Sequence, residues 1–151
     1  MKKIIFALTL LLSLTTFAQR TTVMGSNIFL QQEGTDRYAT FKYTDNDGNL
    51  LLVKREDKIV MTLTLDEGYQ FGNSGDVDFV ITFKKGDRLT EYTTYGKITE
   101  GLKLAIIKTN IKDDAAFLTS FLSSDYMLID MNGDTYFYSL EESTKAYQFL
   151  K

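Results

Sequence analysis

Apolar and polar residues alternate along most of the chain. The clearest stretches are residues 37–44, 58–65 and 76–85, and the last of these places Val77, Phe79, Ile81 and Phe83 on one face. Alternation with period two is typical of a β-strand that has one buried face. Short segments rich in Gly, Asn and Asp separate these stretches and predict tight turns. The pattern predicts a mainly β fold, an antiparallel β-sandwich or a flattened barrel of about eight strands.

Two segments near the C-terminus have a different period. Apolar residues recur at spacings of three and four within residues 110–124 and again within residues 139–150. Asn110 and Ser139 are the predicted N-caps, the second with Glu142 as its capping-box partner. We therefore expect two short helices near the C-terminus that close an end or an edge of the β-structure. Their apolar faces would bury four large side chains, Phe117, Phe121, Phe149 and Leu150.

The N-terminal segment has the pattern of a secretory signal peptide. Two lysines precede an apolar run over residues 4–14, and Thr16 and Ala18 supply the small residues of a cleavage site. We expect residues 1–18 to be a cleaved signal peptide and residues 19–151 to form a single β-rich domain. The protein is then expected to be exported, either to a periplasm or to the outside medium.

Composition excludes several kinds of chemistry. The 151 residues include no His, Cys, Pro or Trp, which leaves no Cys–His dyad, no serine triad with histidine and no zinc site of the usual kind. We therefore expect no enzyme activity, no metal site and no cofactor. No apolar run beyond the N-terminus is long enough to cross a bilayer, so no membrane span is expected.

Net charge limits the class of partner. The whole chain has 17 basic and 20 acidic residues. Removal of residues 1–18 takes away two lysines, which leaves 15 basic residues against 20 acidic ones and a net charge of −5. Nucleic acid and anionic lipid both require a basic surface, so we expect neither as a partner.

The loop at residues 68–75 is a candidate contact region. Gly68, Gly72 and Gly75 flank two aromatic residues, Tyr69 and Phe71. Aromatic side chains exposed on a flexible loop make good anchors for recognition. The alternative interpretation is that both rings fold inward and cap one end of the sheet.

The strand at residues 88–98 is the second candidate contact region. It carries polar residues on both faces, together with Tyr92 and Tyr95. A strand without a dry face is expected at a sheet edge, where it can accept a strand from a partner. The alternative is that Glu91 and Lys97 blunt this edge against such pairing. Tyr69, Phe71, Tyr92 and Tyr95 are together the predicted partner-contact residues.

The C-terminal half resembles a known family. A strand with a charged turn at residues 78–87 precedes a helix, a pair of serines, an alternating hairpin and a second helical segment, with apolar residues Phe117, Leu122, Phe137, Leu140, Ala146 and Leu150. This order is similar to the C-terminal part of small exported β-sandwich proteins of the invasion-associated locus B family. The resemblance implies a non-catalytic envelope module and transfers no functional residue.

These observations lead to two expectations of function. The first is an exported binding module that acts by protein–protein contact, and within that class an inhibitor or immunity protein against a basic partner fits the acidic charge. The second is a carrier of a small apolar ligand with a β-barrel-like pocket, because the predicted mature chain retains 18 of the 20 aromatic residues.

Overall fold

The computed structural model describes residues 21–24, 28–42, 48–66 and 68–151. The predicted signal peptide, residues 1–18, lies outside the described residues. The described part is mainly β, with two short α-helices near the C-terminus, as predicted. Ten strands are present where about eight were expected. They are β1 (Thr21–Met24), β2 (Ile28–Glu33), β3 (Asp36–Phe41), β4 (Gly48–Arg55), β5 (Lys58–Leu65), β6 (Gly75–Lys85), β7 (Arg88–Thr99), β8 (Leu104–Lys108), β9 (Tyr126–Met131) and β10 (Asp134–Ser139).

All strand pairs are antiparallel and belong to one sheet with the order β1-β2-β3-β4-β5-β8-β7-β6-β9-β10. The first five strands form a meander, and the chain then passes two strand positions to reach β6. Strands β7 and β8 return toward β5, and β9 pairs with the far side of β6. The spatial order β9-β6-β7-β8 is a Greek key. The described sheet is open, with β1 and β10 at its two ends.

The alternating pattern decides which side chains enter the core. In β6, Phe79, Ile81 and Phe83 are buried, whereas Asp78 just before them and Val80 between Phe79 and Ile81 are exposed. The buried residues of all the longer strands form one cluster. Because roughly 1.5–3 kcal/mol accompanies the full burial of a large apolar side chain, this cluster is the main source of stability.

The sheet curves around this cluster, so its distant strands come into contact. The Tyr138 hydroxyl on β10 donates to the Gly48 carbonyl on β4, over 3.4 Å. A Cβ at Gly48 would lie 3.0 Å from the Tyr136 ring, so glycine leaves room for β10 at this crossing. One curved sheet therefore supplies both walls of the core.

The two α-helices pack against the inner side of the sheet. They are α1 (Ala115–Ser123) and α2 (Ser143–Leu150), and a 3-10 helix (Ile111–Asp113) precedes α1. Phe117 of α1 lies edge-on to Phe83, with ring centroids 5.1 Å apart, and Phe121 meets Phe41 at 5.8 Å. Arg37 donates to the carbonyl of Phe149 over 2.9 Å, which ties α2 to β3. The predicted burial holds for Phe117, Phe121 and Leu150, while Phe149 is half-buried.

The prediction that Asn110 is an N-cap is confirmed, but for the 3-10 helix and not for α1, and the prediction that Ser139 caps α2 is wrong. Asn110 caps the 3-10 helix through the Lys112 amide, and Asp114 caps α1 by accepting from the Phe117 amide over 2.9 Å. Ser139 ends β10, and α2 begins four residues later without a side-chain cap. Ser139 pairs with Tyr126 in the sheet and lies four residues before the first residue of α2, so its hydroxyl is not at the helix start. In the described part of the chain, no helix is both long and apolar enough to cross a membrane.

Candidate functional site

The glycine-rich loop separates its two aromatic residues. Phe71 is only 4% exposed and belongs to the core, and its amide donates to the Leu102 carbonyl over 2.8 Å. Tyr69 is 50% exposed. The prediction that both rings form an exposed contact is therefore wrong for Phe71, because the turn between β7 and β8 holds that residue inward. Of the two aromatic residues in this loop, Tyr69 is the exposed one.

The two tyrosines of β7 also differ in exposure, because their side chains point to opposite faces of the strand. Tyr92 faces the core side and lies edge-on to Phe83 and Phe117, at 5.6 and 5.4 Å. Its hydroxyl donates to the Ala116 carbonyl over 3.1 Å and lies 2.9 Å from Ser120 Oγ. Tyr92 thus holds α1 against the sheet, which corrects its predicted role as a contact residue. Tyr95 points the other way and is 78% exposed.

Tyr95 belongs to a larger exposed surface, which we call the outer face: the side of β7, β6, β9 and β10 that points away from the core. The strand register places Tyr95 opposite Asp78, Val80 opposite Asp130, and Lys84 between Leu89 and Tyr126. On the neighbouring row, Leu128 lies opposite Phe137, whose ring stacks on that of Tyr126 at 5.0 Å. Apolar and aromatic side chains therefore lie on all four strands of this face, interspersed with Asp78, Lys84 and Asp130.

Exposed large apolar or aromatic side chains are concentrated on this face. Within the described ranges they are Tyr69, Val80, Leu89, Tyr95 and Tyr126. All but Tyr69 lie on the outer face. Isolated exposed apolar residues are common on protein surfaces, whereas a contiguous group of them marks an interaction surface.

The outer face is also acidic around its centre. On β6, Asp78 is the outward-facing residue before Val80, and Asp130 of β9 lies opposite Val80. Glu91 of β7 lies opposite Thr82 of β6. The Thr135 hydroxyl donates to the Asp130 carboxylate. Lysines lie toward the ends of the same face, at Lys84 and Lys97. A partner with apolar and basic groups would complement this arrangement.

A cleft opens beside Tyr95 where β7 and β8 separate. We call it the β7–β8 cleft. It has a volume of about 870 Å³ and is lined by residues 94–97 and 106–110, together with Asp76, Asp113 and Asp114. The Lys108 ammonium is 2.9 Å from the Asp114 carboxylate and lies over the Phe117 ring. The amide of Phe117 and the nearby Lys108 hold the pKa of Asp114 below its ordinary value.

The outer face was largely missed by the sequence reasoning, which found Tyr95 but not Val80, Leu89 or Tyr126. The sequence contains a signal for two of them, because Val80 and Tyr126 occupy positions in alternating strands where a polar, outward-facing residue is expected. Which strands lie side by side, and hence that these residues form one surface, depends on the strand order.

No protein-family model, no curated protein and no solved structure matches this chain. The resemblance to the invasion-associated locus B family therefore stays a prediction. Within the residues that the structure describes, no group of three or more acidic side chains is placed to hold a metal ion.

Proposed function

We propose that the chain is a non-catalytic binding module, exported to a periplasm or to the medium, that acts by protein–protein contact through the outer face. The observation that carries the proposal is the concentration of Val80, Leu89, Tyr95 and Tyr126 on three adjacent strands, β7, β6 and β9. Interface centres are enriched in aromatic residues and use them as rigid anchors. The carboxylates of Asp78, Glu91 and Asp130 favour a basic partner, such as an enzyme or toxin that an inhibitor or immunity protein neutralises.

The interior of the fold supports protein contact better than carriage of an apolar ligand. Phe41, Phe79, Phe83, Phe117 and Phe121 are all nearly or fully buried, and two pairs of them meet ring to ring. A carrier would instead need these inward rings to surround a space. Native mass spectrometry of the protein purified without detergent discriminates: a reproducible extra mass of a few hundred daltons would favour the carrier.

Site-specific photo-cross-linking tests the binding module. A photoreactive phenylalanine replaces Tyr95 on the outer face or, as the control, exposed Gln148 on α2, and each variant is expressed in the producing organism. We expect a discrete cross-linked protein from position 95 and none from position 148. Cross-linking that is absent at 95, or equal at the two positions, contradicts the proposal.

Charge reversal tests the chemistry of the partner once it is purified. Asp78→Lys should weaken binding at low salt, and Asp57→Lys, an equal charge change in the turn between β4 and β5, should not. Unchanged affinity for Asp78→Lys would remove the basic partner from the proposal.

Mass spectrometry of the exported protein tests the predicted cleavage, since the mature chain should begin at Gln19.

A further inference from the structure

One side of β7 is only partly paired by the strands in the described residues. Strand β6 pairs with it along its length, from Arg88 to Ile98. Strand β8 pairs only with the last three residues, Lys97–Thr99. On that side, no strand pairs with residues 88–96 among the described parts of the chain. At ~3.3 Å per residue, this free edge is roughly 30 Å long.

The free edge has room beside it because β8 leaves β7. Beyond Ile106, β8 continues alongside β5, and its register shifts between Met61 and Thr62. The β7–β8 cleft of about 870 Å³ lies at this separation. Its volume falls within the ~300–1,000 Å³ typical of sites that bind ligands.

Gly96 marks the closed end of the cleft. A Cβ at this position would lie 2.2 Å from the Ile106 carbonyl oxygen and 2.3 Å from the Phe79 ring. The two strands therefore meet closely at Gly96 and separate on its N-terminal side. An added strand can follow β7 from Tyr95 toward Arg88. Tyr92 contacts α1 on the core side of β7, and no described strand pairs with the edge over this stretch.

Charges indicate which kind of segment fits. Lys108 is already paired with Asp114. By contrast, Asp76, Glu91 and Asp113 form no ion pair within the described part of the chain. Asp76 and Asp113 line the cleft together with Lys97, which lies opposite Asp76 in the strand register, and Glu91 lies on the free edge itself. These carboxylates favour an extended segment with Lys or Arg at alternate positions.

We propose that the protein partner donates an extended basic segment that pairs as an additional strand with residues 88–95 of β7 and enters the β7–β8 cleft beside Thr94 and Tyr95. The proposal rests on the proposed function and specifies its binding mode. Main-chain hydrogen bonds to the free edge supply affinity, and the carboxylates select basic side chains. Tyr95 links the two surfaces, because it belongs to the outer face and also lines the cleft.

Amide hydrogen exchange read by NMR tests this binding mode. The probe is the heptapeptide Lys-Val-Lys-Thr-Lys-Val-Lys with blocked termini, and the matched control is Glu-Val-Glu-Thr-Glu-Val-Glu. In the free protein, amides of residues 88–95 should alternate between slow exchange, where they face β6, and fast exchange, where they face the free edge. The basic peptide should slow the fast set at least ten-fold, and the acidic peptide should leave it unchanged.

Two variants add a control within the protein. Glu91→Lys should abolish the protection given by the basic peptide, whereas Asp134→Lys, an equal charge change at the β9–β10 turn, should keep it. The melting temperature of each variant verifies that it is folded. The proposal is overturned if those amides of residues 88–95 that face the free edge already exchange slowly in the free protein. It is also overturned if both peptides protect them equally or neither does.

The partner itself separates failure of this binding mode from failure of the proposed function. A protein that cross-links at position 95 but leaves the β7 amides unprotected overturns strand addition, and the binding module stands. Absence of any cross-linked partner overturns the function regardless of the peptides. Concentration-dependent protection of residues 88–95 together with dimerisation in sedimentation would identify a second copy of this chain as the occupant, which also overturns the proposal.

Discussion

The two aromatic residues of the glycine-rich loop provide a sharp test of the structure. Tyr69 and Phe71 are two positions apart in a loop without regular structure, yet Phe71 is 4% exposed and Tyr69 is 50% exposed. Separate Phe71→Ala and Tyr69→Ala substitutions should therefore have very different effects. The first removes a core side chain, and the second shortens a side chain that is half in water.

The burial of Phe71 sets the expected magnitude. Burying a Phe side chain fully contributes about 1.5–3 kcal/mol of transfer free energy. Truncation to Ala leaves a cavity as well, and measured costs in protein cores reach about 3–5 kcal/mol. Because the loop backbone can partly collapse into the space, we expect Phe71→Ala to lower the free energy of unfolding by about 3 kcal/mol. Tyr69→Ala should cost less than about 1 kcal/mol.

Urea unfolding followed by far-ultraviolet circular dichroism measures both values. At roughly 3–4 °C per kcal/mol for a chain of this size, Phe71→Ala should also lower the melting temperature by about 10 °C. Partner binding should fall for Tyr69→Ala only if the loop takes part in the contact. Equal stability of the two variants, or a loss below about 1 kcal/mol for Phe71→Ala, would refute the assignment of Phe71 to the core.

Three further predictions concern stability. Gly96→Ala should cost about 3 kcal/mol or more in urea unfolding, because the new Cβ meets the backbone oxygen of Ile106 at 2.2 Å. Asp114→Ala should cost about 1 kcal/mol at pH 7 through loss of the α1 cap, and Asp113→Ala should cost less. The folded-state pKa of Asp114 is lowered, so its stabilisation is complete above the ordinary value of 3.8 and is lost as pH falls through the folded-state value. The difference between wild type and Asp114→Ala in unfolding free energy should therefore shrink in acid. Deletion of residues 141–151 removes the buried side chains of α2, and the shortened chain should lack the cooperative thermal transition of the full one.

Sequence periodicity was a reliable guide to strands and their faces. In β6, alternation alone indicated that Phe79, Ile81 and Phe83 point inward, and all three are buried. The reason is local, because successive side chains of any strand point to opposite faces and only one face of a half-buried strand can be apolar. The apolar spacing of three and four likewise identified both helices.

Local rules were less reliable at the ends of elements. The Asn110 side chain does cap a helix, but that helix is the short 3-10 helix, and the N-cap of α1 is Asp114. Gly48 is a residue type that favours turns, yet it lies in β4, where it makes room for the Tyr136 ring. In each case a contact between distant residues selected among several local options that the sequence allowed equally well.

The sequence by itself determined the β class, the inward and outward faces of the strands and the exclusion of histidine and thiol chemistry, because these follow from composition and from a period of two. Only the tertiary structure decided the strand order, which brings Val80, Leu89, Tyr95 and Tyr126 onto one surface and leaves part of β7 without a neighbour. Strand order depends on which strands meet across long stretches of chain. No pattern within one strand records its neighbour, so the candidate binding surface became visible only in the folded protein.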